Sequence, residues 1–140
     1  MNLSLYDLID LWGEPYEVDS LNSYNLTGKI CTDSRLLERG DFFVPLIGNK
    51  FDGHSFLHQA FNKGAKATVI ANNSINFIPD KFPHWRVENT LYAYQQIASI
   101  YRSKLNMPII AVTGSNGKTT TREMIKSILT PQGSVTASIE

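Results

Sequence analysis

Apolar side chains recur at the spacing of an amphipathic helix in four stretches of the chain. These stretches cover residues 5–12, 54–62, 90–105 and 122–129. Ser4 and Asn89 stand just before two of them and belong to the residue types that cap helix N-termini. In the first three stretches one face is expected to pack against a core. The positions on those faces are Leu5, Leu8, Ile9, Trp12, Phe56, Leu57, Ala60, Phe61, Leu91, Tyr94, Ile97, Ala98, Tyr101 and Leu105.

Short apolar runs between these helices predict strands, because they are too short for helices and are bounded by turn residues. The runs cover residues 29–32, 42–46, 67–71, 85–87, 108–112 and 134–138. Pro45 predicts that its run is an edge strand or a strand end. Turn-rich residues 14–27 and 72–83 predict no regular element. The alternation of helices and strands predicts an α/β fold.

The composition is that of an ordinary globular protein. The 140 residues include 13 basic and 13 acidic side chains and are 42% hydrophobic. Without a basic surplus, nucleic-acid binding is not expected. Cys31 is the only cysteine, so no internal disulfide can form. The first residues lack a basic segment, and no apolar run approaches the roughly 20 residues that span a membrane. We therefore expect a cytoplasmic protein that does not insert into a membrane.

The densest candidate chemistry lies between the run 108–112 and the helix 122–129 and reads T-G-S-N-G-K-T-T. A strand, a glycine turn, a lysine beside a threonine and a helix form the layout of a phosphate-binding loop. The two glycines would let the backbone approach phosphate oxygens, and the helix N-terminus would direct N–H groups at them. The predicted phosphate contacts are Thr113, Gly114, Ser115, Asn116, Gly117, Lys118, Thr119 and Thr120.

Two residues of this loop have predicted catalytic roles. Lys118 would contact the β- and γ-phosphates of ATP, and the Thr119 hydroxyl would bind Mg²⁺. The loop is shorter than the general pattern, because the position five residues before Gly117 is Val112 instead of glycine. An ordinary turn between a strand and a helix, which happens to carry a lysine, is the alternative interpretation.

A second cluster begins with T-D-S-R after the run 29–32. The hydroxyls of Thr32 and Ser34 and the planar guanidinium of Arg35 suit a phosphate or a uridine ring. Asp33 could accept a hydrogen bond from a ribose hydroxyl or hold Arg35. A purely structural pair of Asp33 and Arg35 is the alternative.

The cluster continues as G-D-F-F-V-P-L and D-G-H-S-F. Gly48 and Gly53 open a loop whose N–H groups we expect to be available, and His54 begins a helix where an anion would be stabilised. The alternatives are a loop pinned by Phe51 and a packed or capping histidine. The predicted substrate contacts of the whole cluster are Thr32, Asp33, Ser34, Arg35, Gly48, Asp52, Gly53 and His54.

Taken together, these motifs resemble the Mur ligases, which are ATP-dependent enzymes that join a carboxylate to an amine. The resemblance covers nearly the whole chain and includes A-x-x-K-G-A at Ala60–Ala65 and V-E-N-T-L before the longest helix. It implies that residues 1–105 form the N-terminal domain that binds a UDP-N-acetylmuramoyl-peptide. Residues 106–140 would then be the first strand–loop–helix–strand unit of the central ATP-binding domain.

Within the family, the loop is most similar to the ligases that add D-alanyl-D-alanine to a UDP-N-acetylmuramoyl-tripeptide. The resemblance implies that ATP phosphorylates the terminal carboxylate and that the incoming amine attacks the acyl phosphate. Mg²⁺ and Lys118 would stabilise charge on the transferring phosphoryl group. The ligases that add the third residue are one alternative. A non-catalytic UDP-sugar-binding module is another, and a generic P-loop NTPase is disfavoured because it does not need the T-D-S-R cluster.

Residues 106–140 supply too few strands for a sheet that is buried on both faces. We therefore expect the chain to end inside its second domain and to have no ligase activity by itself. The helix 122–129 should then expose an apolar face made of Met124, Ile125, Ile128 and Leu129.

Overall fold

The computed structural model describes residues 4–18 and 28–138, which fall in two compact units, Met1–Leu105 and Asn106–Glu140. Within the described part of the first unit, four parallel strands form one sheet in the order β1-β2-β3-β4. They are β1 (Ile30–Cys31), β2 (Phe42–Phe43), β3 (Ala67–Ala71) and β4 (His84–Val87). The predicted α/β fold is therefore confirmed.

The α-helices of the described residues are α1 (Leu5–Trp12), α2 (Leu57–Asn62), α3 (Thr90–Lys104) and α4 (Lys118–Leu129). Short 3₁₀ segments cover Gly53–Phe56, Asn72–Phe77 and Thr130–Gln132. The first of these leads directly into α2, so the predicted helix over 54–62 is divided into two pieces. The 3₁₀ segment after β3 falls where no regular element was predicted. No helix in the described ranges is long and apolar enough to cross a membrane.

Both ends of α1 are capped, and Ser4 caps its N-terminus as predicted. The Ser4 hydroxyl accepts a hydrogen bond from the Asp7 N–H at 3.2 Å, and the Asp7 carboxylate accepts one from the Ser4 N–H at 2.7 Å. Gly13 ends the helix with a φ of 78°, and its N–H donates to the Ile9 carbonyl. Asp7 also forms an ion pair with Lys104, which connects α1 to the end of α3.

The core lies on both faces of the sheet, because successive residues of a strand point to opposite sides. Phe42 and Val69 pack on the side that carries α1 and α3, whereas Phe43 and Ile70 pack on the side that carries α2. Trp85 is only 1% exposed. Its ring lies 5.8 Å from that of Phe42, and its indole N–H donates to the Gly13 carbonyl at 2.8 Å.

The buried face of α3 matches the predicted one only in part. Ile97 is buried and Tyr101 packs against the core, as predicted. Ala93 is buried as well, whereas Leu91 is 51% exposed and Tyr94 lies at the surface. This helix carries apolar residues on more than one side, so its periodicity alone did not select a face. Leu91 instead lines an open groove of about 470 Å³ beside the end of β4.

The face predicted for α2 is half correct. Leu57 and Ala60 are fully buried, but Phe56 and Phe61 are 41% and 38% exposed. Phe56 belongs to the 3₁₀ segment, whose tighter winding moves it off the face that a continuous helix would present.

Two predicted strands are absent among the described residues. Neither 108–112 nor 134–138 forms a strand, and the sheet contains no segment from either. A strand exists only with a hydrogen-bonded neighbour, which an apolar run cannot specify. In the first unit, β2 ends before Pro45 and pairs on both sides, so the proline marks a strand end and not an edge. As expected, α4 has no buried residue, and Met124 and Ile128 are 61% and 66% exposed.

The first prediction concerns Asp41, which is 4% exposed. Its two oxygens accept the backbone N–H groups of Lys29 at 2.8 Å and Glu38 at 2.9 Å. In Asp41→Asn an amide NH₂ would replace one acceptor and face an N–H group. We expect urea denaturation to show a loss of about 1–3 kcal/mol in the free energy of unfolding. The exposed Asp80→Asn is the control, and an equal loss there would contradict the prediction.

The second prediction concerns His84, which is 3% exposed. Its Nδ1 donates to the Phe82 carbonyl at 2.9 Å, and its Nε2 has no hydrogen-bond partner among the described residues. Burial lowers the pKa of His84 below the ordinary 6.5, and the charge of Arg86 lowers it further. The hydrogen bond to the Phe82 carbonyl raises the pKa but does not outweigh burial.

As the pH falls below about 6.5, the unfolded chain therefore binds a proton on His84 before the folded chain does. The free energy of unfolding should decrease from pH 7 to pH 5, measured by denaturation at each pH. His84→Gln removes the titrating group and should flatten this slope. A slope that is the same in both proteins would refute the assignment to His84.

Candidate functional site

The parallel sheet brings the two halves of the predicted substrate cluster to one edge. T-D-S-R follows β1 and the loop 44–53 follows β2, and these strands are neighbours, with Cys31 paired to Phe43. The carboxyl ends of parallel strands lie at the same edge, where ligands of open α/β sheets commonly bind. Residues that are well separated in sequence therefore share one surface.

T-D-S-R forms a tight turn that is held by Asp33. The Leu36 N–H donates to the Asp33 carbonyl at 3.0 Å, and the Arg35 N–H donates to the Asp33 carboxylate at 2.9 Å. The same carboxylate receives the guanidinium of Arg35, with Nη2 at 2.6 Å from Oδ2. These hydrogen bonds from Arg35 lower the pKa of Asp33 to about 2. Of the two roles considered for Asp33, the structure shows the one that holds Arg35.

The other side chains of T-D-S-R divide between surface and interior. Thr32 is exposed, and the Arg35 side chain is 83% exposed. Ser34 is buried, and its hydroxyl donates to the Gln59 Oε1 at 2.8 Å. The Ser34 hydroxyl thus faces α2, and its contact with a substrate stays a prediction. Thr32 and Arg35 are the members of the motif that face solvent.

The loop after β2 is closed by its own backbone. The Gly48 N–H donates to the Phe51 carbonyl, and the Gly53 N–H donates to the Leu46 carbonyl, both at 2.9 Å. The N–H groups of these two glycines are therefore not available to a ligand, whereas the availability of the other N–H groups of the loop stays a prediction. A Cβ on Gly53 would lie 2.7 Å from the Leu46 backbone, so packing requires this glycine. The exposed tip of the loop carries Asn49, Lys50 and Phe51.

His54 supports the loop from inside and has no exposed surface. The Ala71 N–H donates to its Nε2 at 3.0 Å, so its Nδ1 carries the hydrogen and donates to the Asp52 carboxylate at 2.6 Å. Burial raises the pKa of Asp52, but the hydrogen bonds from His54 outweigh it and the net pKa is lowered. Asp52 also caps the following turn, at 2.9 Å from the His54 N–H. In this structure His54 therefore bonds to protein groups, and its direct contact with a substrate stays a prediction.

Two residues that hold this edge were not predicted as part of the site. Gln59 and Lys63 lie on and just after α2, and both bond to the T-D-S-R turn. Lys63 belongs to the A-x-x-K-G-A segment, which is the signal in the sequence that could have pointed to it.

The predicted phosphate loop lies in the second unit, directly before α4. Gly117 is the N-cap of α4 with a φ of 75°, a conformation that favours glycine. No hydrogen bond from a side chain caps this helix among the described residues. The Lys118 Nζ donates to the Gly114 carbonyl at 2.8 Å, so the lysine side chain folds back over the turn. The eight residues 113–120 are all exposed.

This donor set fits the phosphates of a nucleotide. The start of a 12-residue helix, the ammonium of Lys118 and the hydroxyl of Thr119 present positive charge and hydrogen-bond donors on one short segment. Thr119 also supplies an oxygen, which is the kind of ligand that Mg²⁺ prefers. In residues 4–18 and 28–138, no group of three acidic, histidine or cysteine side chains could hold a metal.

Two curated relatives illustrate the similarity to known proteins. The UDP-N-acetylmuramoyl-tripeptide–D-alanyl-D-alanine ligase of Synechocystis is 47% identical over 106 residues, which is 76% of this chain and 23% of that protein. The UDP-N-acetylmuramoyl-L-alanyl-D-glutamate–2,6-diaminopimelate ligase of Clostridium perfringens is 39% identical over 131 residues, which is 92% of this chain and 27% of that protein. The chain thus spans about a quarter of the length of these relatives.

Solved structures agree with the curated relatives. A crystal structure of MurF from Acinetobacter baumannii matches with a TM-score of 0.76 at 31% identity, over 91% of this chain and 27% of that one. The MurF ligase of Thermotoga maritima in complex with ADP matches with a TM-score of 0.66 at 31% identity, over 76% of this chain and 24% of that one.

Two family models cover the chain from Gly28 to its last residue. The model of the Mur ligase family, catalytic domain, matches residues 28–116, and that of the Mur ligase middle domain matches residues 112–140. The first match alone includes more than half of the chain and both loops that follow β1 and β2. The chain therefore belongs to the Mur ligase family.

Proposed function

We propose that this chain functions as part of an ATP-dependent ligase that adds D-alanyl-D-alanine to a UDP-N-acetylmuramoyl-tripeptide during peptidoglycan precursor synthesis. In this reaction ATP transfers its γ-phosphoryl group to the terminal carboxylate of the tripeptide, and the amine of D-alanyl-D-alanine then displaces phosphate to form the amide. The phosphate loop before α4, in a chain of this family, is the observation that carries the proposal. The name of the Synechocystis relative supports the choice of substrates.

We assign nucleotide binding to the second unit. The backbone N–H groups at the start of α4 and the Lys118 ammonium would hold the ATP phosphates, and Thr119 would contribute an oxygen to Mg²⁺. When bound, Mg²⁺ would neutralise charge on the transferring phosphoryl group. Lys118 now donates to the Gly114 carbonyl, so nucleotide binding would exchange that acceptor for a phosphate oxygen. The ADP complex of the Thermotoga relative supports this assignment.

We assign the UDP-linked substrate to the edge formed by the loops after β1 and β2. Thr32 and Arg35 are exposed there, and the loop tip adds the ammonium of Lys50 and the ring of Phe51, which is 62% exposed. A cation on each loop and one aromatic ring suit a diphosphate joined to a uridine. Asp33, Asp52 and His54 would act behind this surface by fixing the two loops.

A ligase that adds a diamino acid as the third residue is the second candidate, because the Clostridium relative matches 92% of the chain. Phosphate release by the complete product of the gene separates the two. With ATP and a UDP-N-acetylmuramoyl-tripeptide, release should require D-alanyl-D-alanine. Release that instead requires 2,6-diaminopimelate and a UDP-N-acetylmuramoyl-dipeptide would select the second candidate.

The third prediction tests the catalytic role of Lys118 in the same gene product. Lys118→Ala removes a cation from the developing charge of the phosphoryl group, so the ligation rate should fall by about 10²- to 10³-fold. Binding of the UDP-linked substrate should be unchanged. Lys126→Ala, on the exposed side of α4, is the matched control and should retain the parental rate. Near-normal ligation by Lys118→Ala would show that the phosphate loop has been assigned wrongly.

A further inference from the structure

The A-x-x-K-G-A segment has no role in the function proposed above, although it is one of the distinct motifs of the sequence. The structure shows how its lysine is placed. Lys63 is the C-cap of α2, and the next residue, Gly64, has a φ of 85° that turns the chain towards β3. The backbone turns towards β3 at Gly64, whereas the Lys63 side chain extends to the loop after β1.

There Lys63 bonds to the T-D-S-R turn through two backbone oxygens. Its Nζ lies 2.9 Å from the Ser34 carbonyl and 2.8 Å from the Arg35 carbonyl. These two residues are the centre of the turn that is closed between Asp33 and Leu36. An ammonium that donates to two successive carbonyls fixes the plane of both peptide groups, through bonds stronger than those between neutral partners.

Gln59 lies four residues before Lys63 and contacts the same T-D-S-R turn. Its Oε1 accepts the Ser34 hydroxyl at 2.8 Å. Residues four apart on a helix lie on one face, so Gln59 and Lys63 reach the turn side by side. Neither of them bonds to the side chains of Thr32 or Arg35 in the contacts of the described residues, and these two side chains are the exposed members of the motif.

We infer that Gln59 and Lys63 are positioning residues that hold the T-D-S-R turn in the conformation that presents Thr32 and Arg35 to the UDP-linked substrate. This inference rests on the proposed function, because it concerns the same substrate edge. Arg35 is thus fixed from two directions. Asp33 holds its guanidinium, and Lys63 holds its carbonyl. The charge of Lys63 also adds, after the larger effect of Arg35, to the lowering of the Asp33 pKa.

The test is a titration of the 140-residue chain with UDP, followed by amide chemical shifts in ¹H–¹⁵N NMR spectra. Lys63→Met removes the ammonium but keeps an unbranched side chain, and Lys63→Arg restores donors. Lys29→Met is the matched control, because it loses the same charge from an exposed residue that pairs, within the described ranges, only with Glu38 at 3.8 Å. Gln59→Leu removes the acceptor of Ser34, and Gln59→Glu keeps it.

Lys63→Met and Gln59→Leu should each weaken UDP binding by about tenfold, measured at a temperature at which every variant is folded. Lys63→Arg, Gln59→Glu and Lys29→Met should stay within about threefold of the parent. The double variant Gln59→Leu/Lys63→Met should lose less than the product of the two single effects, because both residues hold one turn. Before UDP is added, the amide signals of Ser34 and Arg35 should already be shifted in both single variants.

Parental affinity in both single variants, while UDP still perturbs residues 32–35 of the parent chain, would overturn this inference and leave the proposed function standing. Equal weakening in Lys63→Met and Lys29→Met would overturn it as well, since net charge would then be the cause. If UDP perturbs no signal of residues 32–35 in the parent chain, the proposed substrate edge fails and the inference fails with it.

Discussion

The parallel pairing of β1 with β2 is the interaction on which the proposed substrate edge depends. Both strands are only two residues long, so little ladder hydrogen bonding holds them. Asp41 stabilises one end of this pairing, because its buried carboxylate accepts hydrogen bonds from the backbone N–H groups of Lys29 and Glu38. Because this pairing is parallel, the loops that follow the two strands leave from the same edge. An antiparallel pairing would place T-D-S-R and the second loop at opposite ends of the sheet.

At that edge, many residues of the motifs serve the protein's own structure. Asp33, Ser34, Asp52 and His54 bond to neighbouring protein groups, and Gly53 is required by its close approach to Leu46. Their combined effect is to leave a few side chains exposed on loops that cannot easily rearrange. Ordered loops lower the entropic cost of binding a flexible diphosphate, which is how buried residues can contribute to substrate affinity without touching the substrate.

The sequence predicted the fold well where local chemistry decides it. Ser4 caps α1 as predicted, and Ala67–Ala71 is a strand with the predicted bounds. The prediction failed where contacts with other parts of the chain decide the structure. The face of α3 depends on how the helix meets the sheet, and residues 108–112 and 134–138 need neighbouring strands that an apolar run does not identify. The motifs themselves could be recognised in the sequence. Whether Ser34 or His54 faces solvent could not, because it depends on hydrogen bonds with Gln59 and Ala71, which are distant in sequence.

We propose that one chain carries a UDP-substrate edge in its first unit and a nucleotide-phosphate loop in its second. Mapping of amide chemical shifts on the 140-residue chain, with UDP and ADP added separately, tests both parts on one sample. We expect UDP to perturb residues 32–35 and 47–53, and ADP to perturb residues 113–120. Perturbation of 113–120 by both ligands, with residues 32–35 and 47–53 unaffected, would contradict the account.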